Sequence, residues 1–234
     1  MKLLRTQGRP LVIGHRGAAA VAPENTLAAL EAAVAARVDL VEFDISPGLR
    51  LGHSLDELPA EEISLDDALA FLKDHDVGVH LDVKLPGYEE QVLEAIRRHG
   101  FAERAVVSTA FAVTGRRVAR LAPDLPRAIG YPRDRLGVSN LHWPGPLQRA
   151  GATALRQAMP VRVPLLLAWA RANTLSLHHT LCSRAAVATA HRLGAPVFAW
   201  TVNDAAGVRR VTAAGVDGIV SDDPEMTLAT LLAL

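Results

Sequence analysis

Short runs of β-branched and aliphatic residues alternate along this chain with longer segments of helical period, and this alternation constrains the fold most strongly. Eight runs predict strands, at 11–14, 40–45, 77–83, 105–108, 127–130, 174–177, 197–202 and 218–221. Helices are predicted at 26–36, 64–75, 88–99, 112–121, 145–157, 161–171, 183–193, 204–214 and 224–232. Alternating strands and helices form a parallel sheet covered by helices. Eight such units in 234 residues are typical of a TIM, or (β/α)8, barrel.

The alternative arrangement of the same units is an open, doubly wound sheet. Sheets of that kind that bind dinucleotides carry a G-x-G-x-x-G turn after the first strand. This chain has Gly14-His15-Arg16-Gly17 at that place, which favours the barrel. Since no low-complexity linker interrupts the sequence, we expect a single α/β barrel domain over 1–234.

Charge and cysteine content narrow the classes of partner and compartment. The chain has 25 basic and 25 acidic residues, so it has no net attraction for nucleic acid or an anionic membrane. Its one cysteine, Cys182, excludes an intrachain disulfide and favours a reducing cytoplasm. The most apolar stretch, 163–170, is shorter than the roughly 20 residues that span a bilayer. We therefore expect a cytoplasmic protein that acts on a small molecule without stable membrane insertion.

Carboxylates lie near the ends of two neighbouring predicted strands. Glu42 and Asp44 are two residues apart on a strand and so point to one face, which in a barrel is the interior. Asp82 and Lys84 repeat this spacing on the next strand. Burying unpaired carboxylates is costly. A divalent cation would remove that cost, and oxygen ligands suit Mg²⁺ or Ca²⁺. The same spacing is equally compatible with an ion network in which Glu42 and Asp44 pair with Arg16 and Lys84.

Histidines are the candidates for proton transfer, because an imidazole titrates near neutral pH. His15 directly follows the first strand, and His53 lies in a loop. Taken singly, each also fits an ordinary surface or capping histidine. His80 shares the strand parity of Asp82 and is expected to be a hydrogen-bonded histidine inside the barrel.

Several motifs in this order resemble the glycerophosphodiester phosphodiesterase family. They cover nearly the whole chain, and the combination is more specific than any one of them. They are Ile13-Gly14-His15-Arg16-Gly17, Pro23-Glu24-Asn25-Thr26, Val41-Glu42-Phe43-Asp44-Ile45, Leu81-Asp82-Val83-Lys84, Trp200-Thr201-Val202-Asn203 and Gly215-Val216-Asp217-Gly218-Ile219-Val220-Ser221-Asp222.

The resemblance implies a TIM barrel that hydrolyses glycerophosphodiesters to glycerol 3-phosphate and an alcohol with the help of a divalent metal, Mg²⁺, Ca²⁺ or Mn²⁺. It also implies attack by the glycerol 2-hydroxyl through a cyclic phosphate. Carried over by position, the resemblance implies metal ligands Glu42, Asp44 and Asp82, and an acid/base pair His15 and His53. It also implies phosphate-binding Arg16 and Lys84, and a wall of the substrate site at Trp200. Glu24 and Asn25 are supporting residues in the family pattern, where they shape the first βα loop and fix Arg16 and His15.

Three features depart from the family pattern. Asp82 stands where the family usually has Glu, Ser54 follows His53 in place of Asp, and the stretch between Ile45 and Ser64 is shorter than usual. The short stretch predicts a more open site.

Two alternative functions follow from these departures. One is a lipid phosphodiesterase of the lysophospholipase D type, and the other is a barrel that binds a phosphate ligand without turnover. A Schiff-base lyase using Lys84 is a third, although neighbouring carboxylates would keep that amine protonated.

Overall fold

The structure, a computed structural model, describes residues 8–53, 62–133 and 145–234. The strands found there are β1 (Leu11–Gly14), β2 (Leu40–Ser46), β3 (Arg50–Leu51), β4 (Gly78–Val83), β5 (Ala105–Thr109), β6 (Arg127–Tyr131), β7 (Thr174–His178), β8 (Val197–Trp200) and β9 (Gly218–Ser221). The helices are α1 (Leu27–Ala35), α2 (Leu65–Leu72), α3 (Glu89–Arg98), α4 (Ala112–Leu121), α5 (Gly145–Ala170), α6 (Arg184–Arg192), α7 (Ala205–Ala214) and α8 (Pro224–Leu232).

Eight of these strands close into a parallel barrel. The hydrogen-bonded order is β1-β9-β8-β7-β6-β5-β4-β2, and pairing of β2 with β1 completes the circle. The predicted (β/α)8 barrel is therefore confirmed, and the open sheet is excluded. The two-residue β3 was not predicted; it pairs antiparallel to the end of β2, with Ile45 opposite Leu51. This pairing turns the chain back over the barrel rim just before His53.

The helices agree with the predictions except between 145 and 171. Two helices were expected there, at 145–157 and 161–171, but α5 is continuous and contains both Pro160 and Pro164. A proline removes one backbone hydrogen bond and disfavours the helical conformation of the residue before it. Met159, Val163 and Leu167 lie on the buried side of α5, so packing against the barrel outweighs this local preference. At α2 the expected cap is present, because Ser64 and Asp67 form a reciprocal capping box.

A cluster of buried apolar side chains fills the barrel interior: Ile13, Leu40, Val106, Ala128, Phe198 and Val220. His80 lies among these strands and is 2% exposed, with its ring edge-on to Phe198 at 5.6 Å between centroids. The prediction of a hydrogen-bonded histidine was wrong, because neither ring nitrogen has a hydrogen-bond partner among the described residues. Burial lowers the pKa of His80 to about 4, so the ring is neutral.

In the part of the chain that the structure describes, no helix combines the length and the apolar character needed to cross a membrane.

Candidate active site

The turn after β1 explains why glycines flank His15 and Arg16. A Cβ on Gly14 would lie 2.3 Å from the carbonyl oxygen of Gly17, and a Cβ on Gly17 would lie 2.5 Å from the backbone of Ala29. Gly17 also has a φ of +89°, which favours glycine. The tight turn leaves His15 and Arg16 at the carboxyl end of the barrel, where active sites of this fold lie.

Three carboxylates meet at this end of the barrel. Glu42, Asp44 and Asp82 each offer one oxygen, and these oxygens all lie within 4.8 Å of one another. The pairing of Asp44 with Asp82 between β2 and β4 sets this distance. Burial is the largest influence on the buried Glu42 and raises the pKa of its carboxyl to about 7. Converging carboxylate oxygens, two of them from buried residues, fit a hard divalent cation.

Two cationic side chains lie among the same carboxylates. The Lys84 Nζ is 2.6 Å from Asp44 Oδ1 and 2.6 Å from Asp82 Oδ2, and the Arg16 Nε is 3.0 Å from Asp44 Oδ2. Burial would raise the pKa of Asp44, but the charge of Lys84, the hydrogen bond with His53 and the charge of Arg16 hold it well below its usual range. The ion network is thus present, and the same oxygens also fit a cation. Burial disfavours the charged form of Lys84, but the neighbouring carboxylates outweigh burial and raise the pKa of this amine. The amine therefore stays protonated, which argues against the lyase alternative.

Both candidate histidines lie at this cluster. The His53 Nδ1 is 3.3 Å from Arg16 Nη2 and 3.4 Å from Asp44 Oδ2, and about half of this side chain is exposed. The His15 Nδ1 is 2.5 Å from Asp222 Oδ1. Burial disfavours the charged form of His15, but the hydrogen bond to Asp222 and the charge of Glu42 outweigh it, so the pKa of His15 is raised.

The supporting residues act partly as expected. Glu24 Oε1 lies 2.6 Å from Arg16 Nη1 and holds the guanidinium in place. Asn25 was expected to fix Arg16 and His15. Its side chain instead accepts from the Asp44 backbone N–H at 3.0 Å and donates to Asp44 Oδ2 at 3.4 Å. Its contact with Arg16 is through the backbone, N to O at 3.0 Å.

Trp200 ends β8 and has the His178 ring edge-on at 5.2 Å between centroids. It therefore lies at the carboxyl end of the barrel, as predicted, and its apolar ring is partly exposed there.

Three polar contacts at the site were not assigned from the sequence. Ser108, near the end of β5, donates from Oγ to Asp82 Oδ1 at 2.7 Å. Asp222 Oδ2 accepts a hydrogen bond from the Asn203 side chain, and Asp222 Oδ1 contacts His15. All three residues lie at strand ends, which is the signal that marks them, but the pairing itself depends on how the barrel closes.

A parallel barrel with clustered carboxylates, two histidines and two cations at its carboxyl end defines a (β/α)8-barrel enzyme of phosphoric ester chemistry. The "Glycerophosphoryl diester phosphodiesterase family" model matches residues 15–46 and 138–226, more than half of the chain. The protein belongs to this family. The matched segments include His15, Glu42, Asp44 and Asp222, whereas His53, Asp82 and Lys84 lie outside them.

Individual relatives agree with this assignment. A glycerophosphodiester phosphodiesterase of Caldanaerobacter subterraneus subsp. tengcongensis is 26% identical over 96% of this chain and 98% of its own. A glycerophosphodiester phosphodiesterase from Parabacteroides distasonis has the same fold, with a TM-score of 0.74, 18% identity and coverage of 97% and 99% of the two chains. An Oleispira antarctica phosphodiesterase, solved in complex with the product sn-glycerol-3-phosphate, has a TM-score of 0.72, 21% identity and coverage of 95% and 97%.

Proposed function

We propose that this protein hydrolyses glycerophosphodiesters to glycerol 3-phosphate and an alcohol, using His15 and His53 as the acid/base pair and a divalent cation on Glu42, Asp44 and Asp82. The observation that carries the proposal is the convergence of these carboxylates, within 4.8 Å of one another, with Arg16 and Lys84 at the barrel mouth. Phosphoryl transfer needs this combination, because negative charge grows on the nonbridging oxygens during attack.

The roles of the side chains follow from their charge and position. Arg16, held by Glu24, and Lys84 bind the phosphate, and Trp200 contacts the organic part of the substrate. One imidazole accepts the proton of the glycerol 2-hydroxyl as its oxygen bonds to phosphorus, and the other protonates the departing alcohol as its bond breaks. Water then opens the cyclic phosphate with the proton transfers reversed. An adjacent hydroxyl is an effective nucleophile because it is already held in place.

A bound divalent cation supplies a Lewis acid that stabilises charge on the phosphate oxygens. The all-oxygen ligand set supports Mg²⁺ or Ca²⁺, with Mn²⁺ as a third option. Two of the proposed ligands already have protein partners, because Lys84 contacts both Asp44 and Asp82 and Ser108 contacts Asp82. Metal binding therefore competes with these contacts.

The decisive experiment is release of glycerol 3-phosphate from glycerophosphocholine by the purified protein. EDTA should abolish release, and one of Mg²⁺, Ca²⁺ or Mn²⁺ should restore it. His15→Gln, purified in parallel, is the control for a contaminating activity. If the folded protein releases no product with any cation, the proposal is wrong, and the non-catalytic binding alternative takes its place.

A second candidate activity is hydrolysis of a lipid diester of the lysophospholipid type. It is favoured by a pocket of about 580 Å³ at the ends of β5 and β6, lined by Ala110, Ile129, Gly130, Tyr131, Arg133, Arg162, Leu165, Leu166 and Trp169. Most of these side chains are apolar, which suits an acyl chain, and two are cationic. Comparing lysophosphatidylcholine with glycerophosphocholine tests this candidate. Leu165→Glu should lower only lipid turnover, because a charge in the pocket opposes acyl binding.

We further propose that residues 1–234 act as one catalytic domain in the cytoplasm. The buried, unpaired Cys182 supports a reducing compartment. The balanced charge of the chain supports a small-molecule partner in place of nucleic acid. Fractionation of the source cells, with activity in the soluble fraction, tests this location.

A further inference from the structure

His15 is tied to the end of β9 by two contacts. Its backbone N–H donates to the carbonyl oxygen of Ser221 at 2.8 Å, and its Nδ1 lies 2.5 Å from Asp222 Oδ1. The contact with Asp222 joins residues that are 207 positions apart in the chain. The imidazole is mostly buried, with 19% of the side chain exposed, so it has few other ways to satisfy this nitrogen.

Asp222 is itself held in one orientation by Asn203. The Asn203 side chain donates to Asp222 Oδ2, and the Asp222 backbone N–H donates to Asn203 Oδ1 at 3.0 Å. These two bonds form a reciprocal clamp between the loop after β8 and the end of β9. The carboxylate therefore keeps Oδ1 directed at His15 and Oδ2 on Asn203.

An imidazole has two nitrogens, and the partner of one decides which nitrogen carries the proton in the neutral ring. A carboxylate at Nδ1 accepts an N–H and leaves Nε2 to exchange a proton with the substrate. The same carboxylate also restricts rotation of the ring, so that the nitrogen in use stays directed at the reacting atoms.

We propose that Asp222, clamped by Asn203, is the positioning residue that sets the tautomer and ring orientation of His15. This inference rests on the proposed function, because it concerns the histidine assigned there to proton transfer. Asp222 does not contact the phosphate in this role; it acts through His15.

The experiment compares Asp222→Asn with Asp223→Asn. Asp223 carries the same carboxylate one residue later, but it caps α8 by accepting from the Met226 backbone N–H at 2.9 Å, and asparagine caps equally well. An asparagine at 222 can donate its amide to Nδ1 and so favour the wrong tautomer. For Asp222→Asn we expect kcat to fall by about 10²-fold or more while KM stays within about twofold. For Asp223→Asn we expect both parameters to match those of the wild type.

A second readout does not require turnover. The Nδ1–H of His15 should give a low-field proton signal in NMR of metal-free protein, assigned by its loss in His15→Gln. This signal should disappear in Asp222→Asn and persist in Asp223→Asn. If Asp222→Asn does not fold, Asn203→Ala, which removes the clamp together with a 3.5 Å hydrogen bond from Ser221 Oγ, should lower kcat by about tenfold and broaden the same signal.

The outcomes separate this inference from the proposed function. Absence of diesterase activity in the wild type would remove the proposed function, and the NMR signal would still report whether Asp222 sets the tautomer. Absence of the Nδ1–H signal in the wild type overturns the inference. Turnover of Asp222→Asn within about threefold of the wild type overturns it too, because the carboxylate then has no positioning role.

Discussion

The buried carboxyl of Glu42 should make the metal-free protein less stable as the pH rises, and this effect can be measured. The pKa of this carboxyl is about 7 in the folded chain against an ordinary value of 4.5, because burial disfavours the charged form. Between these two values the folded state holds a proton that the unfolded state has lost. The free energy of unfolding therefore falls as the pH rises from about 4.5 to 7 and is level above that range.

The size of the effect follows from the shift. One pKa unit corresponds to about 1.36 kcal/mol, so the full difference is roughly 3 kcal/mol, and most of it falls between pH 5 and pH 8. Glu42→Gln cannot ionise and keeps an oxygen to accept the Arg16 backbone N–H, which donates to Glu42 Oε2 at 2.8 Å. This variant should lack that part of the pH dependence.

The assay is urea unfolding in EDTA at pH 5 and pH 8, for the wild type, Glu42→Gln and Glu31→Gln. Glu31 lies on the exposed side of α1, so its substitution controls for loss of a carboxylate in general. The wild type should lose roughly 2 kcal/mol more stability between the two pH values than Glu42→Gln does. Added cation at pH 8 should stabilise the wild type and not Glu42→Gln. Equal losses in the two proteins would refute the reasoning about burial.

Three further predictions concern the site and the scaffold. His15→Ala and His53→Ala should each lower kcat by about 10²-fold or more in the glycerophosphocholine assay, and near-normal turnover would remove that residue from the mechanism. Asp82→Glu adds one methylene toward the proposed cation and should tighten its binding in a calorimetric titration; weaker binding would contradict the ligand assignment. Ser64→Ala removes the cap of α2 and should cost about 1 kcal/mol in urea unfolding with kcat unchanged, whereas lowered kcat would show that this helix influences the site.

Much of the barrel scaffold could be predicted, because the local pattern of apolar residues indicates where its strands lie. The eight barrel strands appear where the apolar runs predicted them, and their ends place Glu42, Asp44 and Asp82 at one mouth of the barrel. The continuous α5 was missed because the local effect of Pro160 opposes a packing contribution that only the assembled barrel provides.

Some contacts at the site and inside the barrel could not be predicted from the sequence, because they also depend on the assembled barrel. The Asn25 side chain was expected to fix Arg16 and His15, but it bonds to Asp44. The backbone of Asn25 is left-handed, with a φ of 59°, and the direction of its side chain depends on this conformation. His80 was placed correctly inside the barrel. That its ring has no hydrogen-bond partner among the described residues depends on which side chains from other strands fill that layer.

Local sequence patterns account for the alternation of strands and helices, the glycines around His15 and the set of carboxylates at strand ends. These features depend on side-chain period and backbone sterics over a few residues. Two contacts could be read only from the folded barrel: Lys84 lies between Asp44 and Asp82, and Asp222 contacts His15 across 207 residues. Such contacts depend on strand register and on closure of β1 against β9, where a shift of one residue would turn each side chain to the other face of the sheet.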